Sequence, residues 1–181
     1  MKYEFTGEVK VSYGRTLYQI RAKISFGNIA KGDIGGWIES EKNLSQEGNA
    51  WVFDNAEVYG NARVYGNARA SGDARVSSNA RVSGDAEVYG NARVSGNASI
   101  MWISNIGSRS DTTTFFLGKK KEIIVNCGCF HGTIEQFREA VEKEHGDNLH
   151  GKMYRLAIEM AKLKLQSAAN EPPEEEADAH D

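Results

Sequence analysis

Residues 56–97 read AEVYGN ARVYGN ARASGD ARVSSN ARVSGD AEVYGN ARVSGN, seven units that repeat every six residues. A looser unit, AWVFDN, precedes them at Ala50, and ASIMWI follows at Ala98. A period of six fits neither an amphipathic helix nor the two-residue alternation of a simple strand, and a fixed short period is the mark of a solenoid. Val52, Val58, Val64, Val76, Val82, Val88 and Val94, with Ala70, Ile100 and Ile106 in phase, are the expected inward residues. Ala50, Ala56, Ala62, Ala68, Ala74, Ala80, Ala86, Ala92 and Ala98 supply a second, small inward position. The Gly-Asn and Gly-Asp pairs suit corners, where φ turns positive. Short strands and corners build a prism whose rungs stack at roughly 4.8 Å. One rung cannot bury its own apolar face, so the rungs must stack. The alternative is a disordered polar tract, against which the strict valine phase argues.

The chain has 181 residues, room for one repeat body with caps. No run of eighteen apolar residues occurs, so no membrane span is expected. The start, MKYEFTGEVKV, lacks the apolar core of a secretory signal, which points to the cytoplasm. Cys127 and Cys129 are separated by one glycine and read as reduced thiols. Residues 167–181 hold six acidic residues and neither Lys nor Arg, so they read as a disordered acidic tail. Residues 50–103 carry five Arg and five acidic residues, and this neutrality excludes general, salt-driven nucleic-acid binding.

The units resemble the hexapeptide repeats of parallel left-handed β-helix proteins, a fold similar across many acyltransferases. That resemblance implies three hexads per turn. Residues 32–52, GDIGGWIESEKNLSQEGNAWV, resemble the opening coil of bacterial hexapeptide-repeat acetyltransferases. Residues 127–148, CGCFHGTIEQFREAVEKEHGDN, resemble the closing part of phage and prophage proteins with the same repeats. These likenesses speak strongly for fold and hardly at all for function.

The expected architecture is mainly β: a short solenoid with an N-terminal β-hairpin cap and a C-terminal αβ cap. Residues 1–36 form the first cap, 37–106 the solenoid, 107–166 the second cap and 167–181 the tail. In the first cap, residues 3–12 and 16–26 read as strands, with Ile20, Ala22, Ile24 and Phe26 on one face. Trp37 and Trp51 read as core plugs. In the second cap, Thr133 and Gln136 match a capping box. They open a helix whose buried stripe is Ile134, Phe137 and Val141. A second helix, from about 151 to 165, carries Met153, Leu156, Met160 and Leu163 at helical spacing, as core or as an oligomer contact.

Chemistry is scarcer. All four histidines, His131, His145, His150 and His180, lie outside the repeat, so the solenoid brings no general base of its own. No catalytic residue is assigned and no cofactor is expected. Cys127, Cys129 and His131 form C-x-C-x-H, a weak candidate for metal ligation if one extended strand aligns them.

With residues eighteen apart stacked, the outward positions sort into three faces. Glu57, Arg75 and Arg93 share one, beside Tyr59. Arg69 and Glu87 share another, beside Tyr89. Both pair opposite charges. The third stacks Arg63 under Arg81, beside Tyr65, with no carboxylate in the ladder. Candidate binding residues are therefore Arg63, Arg81 and Tyr65 first, then Arg75, Arg93, Tyr59 and Tyr89. The expected function is a non-catalytic, phage-type binding protein that takes an anionic small ligand or a host protein, with sequestering of a defence protein or its nucleotide signal as an extension. The alternative is a hexapeptide-repeat acyltransferase with an acyl-CoA donor. Self-association, as a trimer or dimer, is expected as well.

Overall fold

A computed structural model describes residues 1–170. The repeat folds as a parallel β-solenoid. After β1 (Tyr3–Ser12), β2 (Arg15–Ala22) and β3 (Ile34–Ile38) come eight two-residue rungs. They are β4 (Trp51–Val52), β5 (Glu57–Val58), β6 (Arg63–Val64), β7 (Arg69–Ala70), β8 (Arg75–Val76), β9 (Arg81–Val82), β10 (Glu87–Val88) and β11 (Arg93–Val94). Pairing is parallel between residues eighteen apart: Glu57 with Arg75, Arg75 with Arg93, Trp51 with Arg69, Arg69 with Glu87, and Arg63 with Arg81. Three hexads therefore make one turn. All the inward valines from Val52 to Val94, Ala70 and the alanines from Ala50 to Ala92 are buried in one core.

The phase breaks earlier than the valine pattern implies. Gly96 (φ 139) leads into a 3-10 turn at Asn97–Ser99, so Ala98 is exposed and Ser99 is buried in its place. The next strand, β12 (Ile100–Ile106), leaves the solenoid and pairs antiparallel with β13 (Asp111–Leu117). β14 (Ile123–Cys127) and β15 (Phe130–Thr133) complete a four-stranded sheet. One face of that sheet, with Ile100, Trp102, Phe116 and Ile124, closes the solenoid core. The other, with Phe115, Val125 and Cys127, packs on α1 (Ile134–His145) and α2 (Leu149–Asn170). Ile106 is buried, but in this second core. The cap thus covers the open rung edge, which would otherwise template aggregation. Thr133 caps α1 in a capping box with Gln136, and Ile134, Phe137 and Val141 are its buried residues.

The N-terminal hairpin lies along one solenoid face, continuing its sheet in the order β1-β2-β3-β5-β8-β11. Its second strand ends at Ala22, so Ile24 is 53% exposed rather than in line with Ile20. Trp51 stands at an outward rung position yet is fully buried, edge-on to Tyr3 (6.2 Å) and Phe26 (5.5 Å). Trp37 is not a core plug: it is half-buried, with the Lys10 ammonium 4.5 Å over its ring. Lys2 is buried beside this cluster, donating to the Ala50 carbonyl at 2.8 Å, and burial lowers its pKa to about 8.

α2 begins at Leu149 and runs to Asn170, so the first residues of the expected tail are helical. Residues 171–181 of that tail lie outside the described residues. The helix buries Tyr154, Ala157, Ile158, Ala161 and Leu165; Leu156, Met160 and Leu163 are exposed and so are not core. No helix among the described residues is long and apolar enough to cross a membrane.

Corner chemistry yields a first prediction. Gly60, Gly66, Gly72, Gly84 and Gly90 turn their corners at φ 63–71, and Ser78 does so at φ 53. A residue with a Cβ pays for that conformation, so Ser78→Gly is expected to stabilise the fold by about 0.5–1 kcal/mol. A urea midpoint shifted upward with unchanged slope is the expected result.

Candidate functional site

The third solenoid face is built from Leu44, β6 and β9: Leu44 bridges to Val64, and Arg63 pairs with Arg81. The Arg63 amide donates to the Ala80 carbonyl of the next coil at 2.9 Å. Above Arg81 the coil has already broken, and the Asn97 side chain accepts its amide hydrogen instead, at 2.9 Å. The broken rung therefore leaves Arg81 as the last strand of this face without leaving its amide unsatisfied.

Both arginines are exposed, and Tyr65, on the same coil, is 37% exposed. Neither guanidinium makes a hydrogen bond or an ion pair among the described residues. Two like charges on adjacent rungs repel by up to about 1 kcal/mol in water. Each guanidinium offers a planar fork of N–H donors, so an anion lying across both rungs relieves the repulsion and gains charge-assisted hydrogen bonds.

The other candidate residues are already engaged. Arg75 holds Glu57 at 3.2 Å, donates to the Tyr13 hydroxyl and lies 4.5 Å over the Tyr13 ring. Arg93 donates to the carbonyls of Asp73 (2.9 Å) and Ala92 (2.8 Å). Tyr59 is buried beneath Arg15, 5.8 Å from its ring. Tyr89 stacks on His131, with ring centroids 4.2 Å apart. On its face Arg69 approaches Glu87 at 4.0 Å and donates to Asn28, while Glu87 accepts from Asn126 at 2.9 Å.

The three residues of C-x-C-x-H do not converge. The chain turns at Gly128 (φ 57), so Cys127 ends β14, Cys129 sits in the turn and His131 lies on β15 opposite Asn126. Cys127 faces the helices, within reach of Thr113 Oγ1 (3.1 Å) and the Tyr154 hydroxyl (3.6 Å). His131 faces the solenoid. Among the described residues no group of three His, Cys, Asp or Glu side chains could hold a metal ion.

Two features escaped the sequence. Cys127 and Cys129 line a cavity of about 460 Å³ between the sheet and the helices, together with Arg109, Asp111, His145 and Tyr154. Burial, with Cys127 alongside, raises the Tyr154 hydroxyl well above its ordinary range, so it stays neutral. The second feature is His131, which a hairpin places against the solenoid wall at Tyr89 and Gly90. Burial lowers its pKa, favouring the neutral imidazole. A turn signal at Gly128 was visible in the sequence, but not the wall onto which it would fold the histidine.

Comparison with known proteins places the likeness in the coils. A family model described as the YdcK beta solenoid repeat matches residues 56–72 and 86–100, both within the solenoid and its exit. Over 38 residues the chain is 47% identical to the Uncharacterized acetyltransferase YdcK of Escherichia coli (strain K12). That alignment covers 21% of this chain and 12% of the length of that protein. In its hexad repeat, then, this chain is similar to the YdcK β-solenoid, and the resemblance read from its valine phase and corner glycines holds.

Proposed function

We propose that this protein is a binding scaffold whose Arg63–Arg81 ladder, with Tyr65, receives an anionic group carried by a small ligand or a partner surface. The observation that supports it is the contrast between faces. On the other two faces a carboxylate or a carbonyl meets the stacked arginines; here two exposed guanidinium groups stand on adjacent rungs without one among the described residues. Sequestering of a host component or a nucleotide signal is an extension that rests on the resemblance of residues 127–148 alone.

Calorimetry with inorganic pyrophosphate and with ATP tests the reading. The wild-type chain is expected to bind at least one of them. Arg63→Ala/Arg81→Ala is expected to weaken binding by about 100-fold or more, since each charge-assisted contact contributes about 1.5–3 kcal/mol. Binding that is equal in the double variant, or absent in the wild type for both probes, overturns it.

A second reading, acyl transfer, is favoured by His131, a neutral imidazole on the solenoid wall, and by the name of the YdcK relative. Acetyl-CoA in the same calorimeter separates the two. Binding of acetyl-CoA that survives the arginine double variant and is lost in His131→Ala supports acyl transfer; no heat with acetyl-CoA removes it.

A further inference from the structure

α2 carries two apolar faces, and among the described residues only one is buried, although Met153 at the edge of the other packs against the second core. Tyr154, Ala157, Ile158, Ala161 and Leu165 are buried against α1 and the sheet. A second set, Leu149, Met153, Leu156, Met160 and Leu163, recurs at spacings of four, three, four and three residues. At about 100° per residue these five fall within an arc of roughly 80°, turned well away from the buried face. Leu149 is 69% exposed, Leu156 68%, Met160 56% and Leu163 79%, with Met153 half-buried at the edge.

The alternation of four and three is the a/d pattern of a helix-on-helix seam, with a repeat of 3.5 residues. A helix that only lies on its own protein needs one apolar face. The flanks are as specific as the centre. Lys152 and Glu159 border the seam on one side and Lys164 on the other. In an antiparallel pair of such helices the like flanks meet, which brings Lys152 of one copy against the Glu159 position of the second. In a parallel pair, Glu159 faces the Lys164 position. Opposite charges meet in either direction, so the seam is complementary to itself. Glu159 is held at one oxygen by Arg138 at 2.8 Å, yet its side chain remains 63% exposed.

We infer that the outer face of α2 is the seam of a homodimer, closed by the same face of a second copy of this chain. Five a/d positions would be too few for isolated helices, which must also meet the cost of folding. Here α2 is already ordered by its inner face, so association costs only rigid-body freedom and a few side-chain rotamers. A two-fold axis places the same patch on both copies, as an isologous interface requires. The Arg63–Arg81 face is not part of this seam, so the inference stands independently of the proposed ligand.

Sedimentation equilibrium of the full chain, from about 5 to about 200 µM, tests it over the affinities a short seam gives. The wild-type mass is expected to rise from 19.9 kDa toward twice that value. Leu156→Glu/Met160→Glu, at two exposed positions, is expected to stay at the monomer mass throughout, with an unchanged circular dichroism spectrum and melting curve. A wild type that remains monomeric at the highest concentration overturns the inference. So does a double variant that dimerises as well as the wild type. A monomeric wild type that floats with phosphatidylcholine–phosphatidylglycerol vesicles overturns it in favour of a lipid surface.

Discussion

Glu57→Ala is expected to lower the stability of the fold by about 3 kcal/mol, the lower end for breaking a buried ion pair. Glu57 is only 7% exposed and takes Lys10 at 2.8 Å, Arg75 at 3.2 Å and the Ser12 hydroxyl at 2.9 Å. Through it a solenoid rung, its neighbour and the N-terminal hairpin meet through charge. Deleting the carboxylate leaves two cations facing each other beneath the hairpin. Their side chains are 29% and 27% exposed and can hydrate, which is why the cost stays near the lower end. For a chain of this size the melting temperature should fall by about 6–12 °C. Burial alone would raise the Glu57 pKa, but Lys10, Ser12 and Arg75 together outweigh it and hold the carboxyl below its ordinary 4.5. A depressed folded pKa means that the unfolded chain binds the proton first. The contribution is therefore complete above about pH 4.5 and is lost as pH falls through the lower, folded value. Urea melts of wild type and Glu57→Ala should differ widely at pH 7 and converge in acid. A gap that stays constant down to pH 3 would show that the loss is one of packing and not of charge.

The same residue shows what the hexad pattern could and could not reveal. A six-residue period specifies which side chains point inward, because that depends only on local geometry and on the next coil. Val52 to Val94 and Ala50 to Ala92 obey it. The stacking of Arg63 under Arg81 follows from the same register. What covers an outward position is set by segments distant in sequence, and the period carries no trace of them. Trp51, Glu57 and Tyr59 occupy outward positions that the first fifty residues bury. Arg75 pairs with Glu57 as the register implies, but Tyr13, 62 residues away, also lies against it. His131 reached the solenoid through a turn that also parted it from Cys127. The expected pairs Glu57–Arg75 and Arg69–Glu87 form as well, while Arg63, Arg81 and Tyr65 keep side chains that meet no hydrogen-bonding or ring partner among the described residues.

Gly48→Ala is expected to cost about 3 kcal/mol, as much as the loss of the Glu57 carboxylate, although it adds a single methyl group. Two penalties combine. Gly48 sits at φ +69, where a Cβ costs about 1–2 kcal/mol. The added carbon would also lie 2.5 Å from the Gly66 carbonyl oxygen of the coil above. That oxygen is not free to move, because it accepts from the amides of Asn49 and Ala50, both at 2.8 Å. Relieving the clash weakens two hydrogen bonds of the first full coil, at about 1 kcal/mol each. Gly60→Ala provides the comparison, since φ is +66 there too but the nearest atom to the added carbon, the Ser78 amide nitrogen, is 3.3 Å away. There the neighbour need give only a few tenths of an ångström, so the conformational penalty dominates and about 1–2 kcal/mol is expected. Urea midpoints of the two variants thus separate corner conformation from coil stacking. Equal losses would mean that the corner alone matters. A larger loss at Gly48 would locate the constraint in the close approach of successive coils, which holds the ladder residues one rung apart.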